Sequence, residues 1–137
     1  MPLLRLALLS ALLVLPLTAQ ADPWALNGMD PVAAREGRPQ PGRRDITTEW
    51  KGQIWHFSSE AHRMAFEANP RAYIPGLGGY CVVALAEGRP EPGDPQHAVV
   101  IGQRIYLTQS ARAARRLLEH PRVTLMQARR NFLLLSN

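Results

Sequence analysis

Two hairpin signals in the middle of the chain constrain its fold more than any other feature. In the first, Ile46–Trp50 and Gln53–Phe57 flank Lys51-Gly52; in the second, Ala98–Ile101 and Arg104–Leu107 flank Gly102-Gln103. The arms are rich in β-branched and aromatic residues, and a two-residue turn containing glycine matches the twist of paired strands. Each hairpin is followed by serine. Ser58 or Ser59 can cap a helix through about Ala68, and Ser110 one through Glu119, because a serine oxygen accepts from unpaired N–H groups of the first turn. Asn69-Pro70 and His120-Pro121 end these helices, since a residue before proline avoids the helical region. Ala61, Ala65 and Ala68, with Met64 beside them, form the apolar stripe of the first, and Phe66 lies off to one side. A last helix or turn is expected over Arg122–Phe132. In Gly79–Glu87, Val82-Val83 favours strand, whereas Ala84-Leu85-Ala86-Glu87 before Gly88 favours helix; helix is the expectation. Hairpins alternating with short helices give an α+β domain.

Proline and glycine cluster at Gly37–Gly42 and Gly88–Pro95, which read as surface loops. The two stretches look alike but are too short to establish a repeat, and no internal repeat is expected.

The N-terminus has the three parts of an export signal. Arg5 supplies the positive charge, Leu6–Leu17 is apolar apart from Ser10 and Pro16, and Thr18-Ala19-Gln20-Ala21 offers small residues for cleavage. The apolar run is 12 residues, and a spanning helix needs about 20. The expected organisation is a signal peptide over residues 1–21, cleaved after Ala21, and one domain over residues 22–137. Export places it in the periplasm, or outside the cell, with no membrane span in the mature form.

Loss of Arg5 leaves 15 basic against 11 acidic residues. Export and the scatter of the arginines, paired only at Arg43-Arg44, Arg115-Arg116 and Arg129-Arg130, argue against nucleic acid as a partner. Cys81 is the sole cysteine, so no intramolecular disulfide staples the domain. Paired catalytic carboxylates, a Ser-His-Asp order, a phosphate-binding glycine loop and a paired-cysteine motif are absent, so hydrolase and nucleotide-enzyme readings gain no support.

Several stretches together resemble the YHS domain, a small module of copper-transport ATPases, hydroxylases and short exported proteins. They are Gly52-Gln53-Ile54-Trp55-His56-Phe57-Ser58-Ser59, then Phe66, then Asn69-Pro70-Arg71-Ala72-Tyr73. The likeness to the exported YHS domain-containing (seleno)protein subfamily rests on three more. These are Leu26-Asn27-Gly28-Met29-Asp30-Pro31-Val32-Ala33, Gly78-Gly79-Tyr80-Cys81 and Gly102-Gln103-Arg104-Ile105-Tyr106-Leu107. Ala34-Arg35 stand where the subfamily has Tyr-Phe, Leu77 where it has tyrosine, and Ser58 and His62 where metal-type domains carry two cysteines.

The resemblance implies a binding module for a soft metal ion such as copper, or zinc, held by Cys81 with a histidine such as His62; His56 is a further candidate, and Met29 and Met64 suit copper. It also implies selenocysteine at the Cys81 position in some relatives. That favours the alternative of a thiol redox protein in which Cys81 is oxidised and an external thiol resolves it. A third reading is a structural or interaction domain without chemistry, whose partner is another exported protein. These readings separate on geometry. A metal module needs converging ligands and a redox protein an exposed Cys81, whereas a structural domain buries Cys81 among apolar side chains. Strand alternation sends His56 to solvent if Trp55 and Phe57 face the core. His97 is expected at the surface and His120 at a helix C-terminus, where the dipole favours it. Asp30-Pro31 reads as a helix start with Asp30 as cap, or as a carboxylate offered to a ligand. Trp24, Trp50, Trp55, Phe57, Phe66, Tyr73, Tyr80 and Tyr106 are expected in the core.

Overall fold

Lys51 and Gly52 take positive φ (49° and 74°), as do Gly102 and Gln103 (57° and 63°). Each turn therefore has the mirror-image geometry that keeps right-twisted strands paired, with glycine supplying one of its two positions. In the computed structural model, which describes residues 24–136, these turns join β1 (Arg43–Trp50) to β2 (Gln53–Phe57) and β3 (Asp94–Ile101) to β4 (Arg104–Thr108). The two antiparallel hairpins form separate sheets. A two-stranded sheet is marginal alone, so the helices must cover it. These are α1 (Pro31–Arg35), α2 (Glu60–Ala68), α3 (Val82–Ala86), α4 (Ala111–Glu119) and α5 (Pro121–Leu134). The α+β class follows, and the ambiguous segment is helical. The expected leader and its cleavage point at Ala21 lie outside the described residues. Among the described residues, no helix is long and apolar enough to cross a membrane.

Helix boundaries follow their caps. Ser59 Oγ accepts from the His62 amide at 3.2 Å and Ser110 Oγ from the Ala113 amide at 3.1 Å. Pro121 both ends α4 and opens α5, a position where its missing N–H costs nothing. The buried face of α2 differs from the alanine stripe. Phe66 is fully buried, and Met64 is 65 % exposed. A phenylalanine brings far more apolar area to the core than several alanines, so it sets the helix rotation. Its ring lies 4.9 Å from that of Trp55 and 5.2 Å from that of Phe57.

The structure overturns the expectation of no repeat. The run of elements from residue 26 to residue 70 recurs 51 residues later, over residues 77–121, without insertion or deletion, Gly37 as Gly88 and Pro70 as Pro121. The backbone details repeat too. Leu26 and Leu77 open left-handed turns at φ 52° and 56°. The Asp30 amide donates to the Gln40 carbonyl (2.9 Å), and the Cys81 amide to the Glu91 carbonyl (2.8 Å). The first hairpin shifts register between Arg43 and Thr47, and the second between Asp94 and Val99. Outside the Gly-Arg-Pro-x-Pro-Gly loops few side chains match, so the repetition shows in the backbone.

Each half has its own core. Val32, Ile46, Trp55, Phe57 and Phe66 pack in the first; Cys81, Val82, Leu85, Tyr106, Leu117 and Leu125 pack in the second. Ala34 of α1 meets Ile105 and Leu107 of β4 at the seam.

Gly42 and Gly93 are equivalent and equally confined. A Cβ on Gly42 would lie 2.6 Å from the Phe57 amide nitrogen and closer to His56; one on Gly93 would press into the Leu107 side chain. Gly42→Ala and Gly93→Ala are each expected to cost about 1–3 kcal/mol in urea denaturation, because packed backbone cannot yield. Gly37→Ala faces open space, so its cost is limited to about 1 kcal/mol from its positive φ of 76°. Equal midpoints for all three variants would refute the close approach.

Candidate functional site

Asp30 caps α1 from a fully buried position. Its Oδ1 accepts from the amides of Val32 (2.8 Å) and Ala33 (3.1 Å). Its Oδ2 accepts from the Ser58 amide, the Ser58 hydroxyl and His62 Nδ1, each at 2.7 Å. Ser58 follows the end of β2 and His62 sits in the first turns of α2, so one carboxylate ties three elements together. Burial pushes the Asp30 carboxyl up, but hydrogen bonds from the Ser58 hydroxyl and amide, from His62 and from the Ala33 amide outweigh it and hold the group below the usual carboxylate value.

The arrangement determines its own chemistry. An ionised Asp30 only accepts, so the proton of His62 sits on Nδ1, and Nε2 turns toward Glu36, 3.8 Å from Oε2. Ser58 lies 3.2 Å from that same Nδ1. The nitrogen nearest the hydroxyl is therefore already a donor, and the Ser58 hydroxyl gives its hydrogen bond to the Asp30 carboxylate and not to an imidazole. A nucleophilic serine needs the opposite arrangement. The cluster is a structural clasp.

His56 departs from the expected solvent-facing placement. It is buried, as are Trp55 and Phe57 on the other face of β2, because the segment before α1 covers the His56 side. Its ring packs 4.6 Å from the Trp24 ring, and its Nδ1 finds no hydrogen-bond partner among the described residues. The equivalent residue in the second half is Leu107, an ordinary core side chain.

Cys81 is 1 % exposed and caps the start of α3 without a side-chain hydrogen bond. It packs in the second core, whereas His56 and His62 belong to the first half. The structure thus does not gather Cys81, His62 and His56. Among the described residues no group of three or more His, Cys, Asp or Glu side chains is placed to hold a metal ion. The donors present do not fit the copper or zinc site that the resemblance implies. Met64 is exposed, and Met29 pairs with Pro41 in a backbone bridge. The His97 carbonyl accepts from Thr108, and His120 sits at the α4–α5 junction, as its position before proline implies.

Asp30 and His62 stand out in the sequence as site candidates, whereas Ser58 reads as a helix cap or as the replacement of a metal-type cysteine. Their joint role depends on which face of α1 meets β2, and no local pattern encodes that. No protein-family model, curated protein or solved structure matches the chain.

Asp30→Ala removes a cap and leaves buried donors unpaired, so a loss of roughly 2–4 kcal/mol is expected. Because the folded-state carboxyl value is depressed, the contribution is complete above the unfolded value near 3.8 and is lost as pH falls through the folded value. The stability gap between wild type and Asp30→Asn should then shrink below about pH 4. His56→Leu removes an unpaired buried nitrogen and should match or exceed wild-type stability, by up to about 1 kcal/mol. Acid titrations of unfolding midpoints check both; a marked loss in His56→Leu would mean that the imidazole has a partner.

Proposed function

We propose that the chain from residue 22 onward is an exported binding module of the YHS type that acts by non-covalent contact, with Cys81 and the histidines serving its fold. The burial of Cys81 among Val82, Leu85 and Leu117 carries this reading. A thiol in apolar packing lacks the exposure that a reactive cysteine needs. The separation of Cys81 from His56 and His62 supports the same reading against soft-metal binding. The helical end of the chain exposes Leu118, Val123, Met126, Leu133 and Leu134, side chains that a partner protein would cover.

Native mass spectrometry of residues 22–137 with copper(I) and zinc, alongside Cys81→Ser, tests this reading. The expected spectrum shows no tightly held ion in either protein. Iodoacetamide should label Cys81 in native buffer at least about a hundredfold more slowly than in urea, because labelling must await opening of the core. One ion retained by the wild type and lost from Cys81→Ser would restore the metal reading. Fast native labelling would restore the redox one.

A further inference from the structure

The repeat puts Cys81 where the first half has Asp30, Gln109 where it has Ser58, and Ala113 where it has His62. In the first half those side chains fill the space beside the short helix, and a carboxylate is their centre. In the second half neither Cys81 nor Ala113 reaches across. The space remains as a cavity of about 230 Å³, lined by Cys81, Val83 and Ala113 and by the arginines Arg89, Arg112 and Arg116.

The charges around this cavity do not balance. Arg89 pairs with Glu87 (2.6 Å) and Glu91 (2.7 Å), and Arg116 pairs with Glu87 (2.8 Å). Gln109 also donates to Glu91, at 2.6 Å. Arg112 pairs with no carboxylate among the described residues. Three guanidiniums thus meet two carboxylates, next to the place where the other half keeps a third. Arginine is the side chain best matched to a planar carboxylate, through two parallel hydrogen bonds.

We propose that this cavity binds a small carboxylic acid, whose carboxylate pairs with Arg112 and stands in for the side chain that Asp30 supplies in the first half. The volume is below the roughly 300–1,000 Å³ of drug-sized pockets, so the ligand is a short-chain acid. Val83, Ala84 and Ala113 offer its stem an apolar wall. The proposal deepens the reading of the chain as a non-covalent binding module and gives it a ligand class.

Titration of residues 22–137 with acetate, succinate and inorganic phosphate, followed by 1H–15N chemical shifts, tests the site. Saturable shifts at Val83, Ala84, Gln109 and Arg112 are expected for a carboxylate, with a dissociation constant on the order of 1 mM. Arg112 is exposed, so Arg112→Ala should fold normally and weaken binding about tenfold. The triple variant Cys81→Asp, Gln109→Ser, Ala113→His copies the first-half clasp into the cavity; it should abolish binding while keeping the native spectrum elsewhere. Shifts that never saturate would overturn the proposal, as would full affinity in Arg112→Ala, or phosphate binding without a carboxylate response. Such a failure leaves the packing role of Cys81 standing, because metal retention and thiol labelling decide that role separately.

Discussion

A carboxylate with no access to water must find all its hydrogen-bond donors inside the protein, and Asp30 finds five. An unpaired buried charge would destabilise the fold by several kcal/mol, so the elements carrying those donors cannot drift. The Val32 and Ala33 amides fix the start of α1. Ser58 fixes the end of β2, and His62 fixes the entry of α2. The aromatic cluster of Trp55, Phe57 and Phe66 then packs in a frame whose three edges are already joined. Apolar burial supplies most of the driving force, but it is non-directional; the clasp supplies the direction.

The second half reaches the same backbone without that clasp. Its core is more aliphatic, and α5 contributes Leu125 and Ala128 to it. This helix has no counterpart after α2. Asn131 of α5 donates to the carbonyls of Leu85 and Ala86 at the end of α3, at 2.8 and 3.2 Å. In the first half, α1 instead packs on the second hairpin. Helix α5 therefore covers on α3 what the following hairpin covers on α1.

Both hairpins and the serine-capped helices were legible in the sequence because each is specified locally: a two-residue turn, an oxygen at the cap, a proline at the stop. The ambiguous segment around Val82 also resolved as its C-terminal glycine implied. What escaped depends on packing. His56 alternates correctly with Trp55 and Phe57, but a strand covered on both faces makes alternation silent about solvent. Phe66 looked misplaced because three alanines and Met64 outnumbered it, while area decides which face is buried. The repeat was hidden because Asp30 and Cys81, Ser58 and Gln109, His62 and Ala113 share positions and not chemistry. The Gly-Arg-Pro-x-Pro-Gly loops preserve it most clearly in letters, with scattered identities such as Leu26 and Leu77, Ile54 and Ile105, Ser59 and Ser110.

Two consecutive units with one backbone shape also present the chain with a choice during folding. Within each unit, the hairpin and the helices around it are close in sequence, so each can organise quickly from local contacts. The seam of Ala34 with Ile105 and Leu107 can be completed by the second unit of the same molecule or of a neighbour. The short stretch from Pro70 to Pro75 that joins α2 to the second unit sets how strongly the molecule's own partner is favoured. At high concentration the same complementarity favours exchange of whole units between molecules, a failure route open to tandem folds.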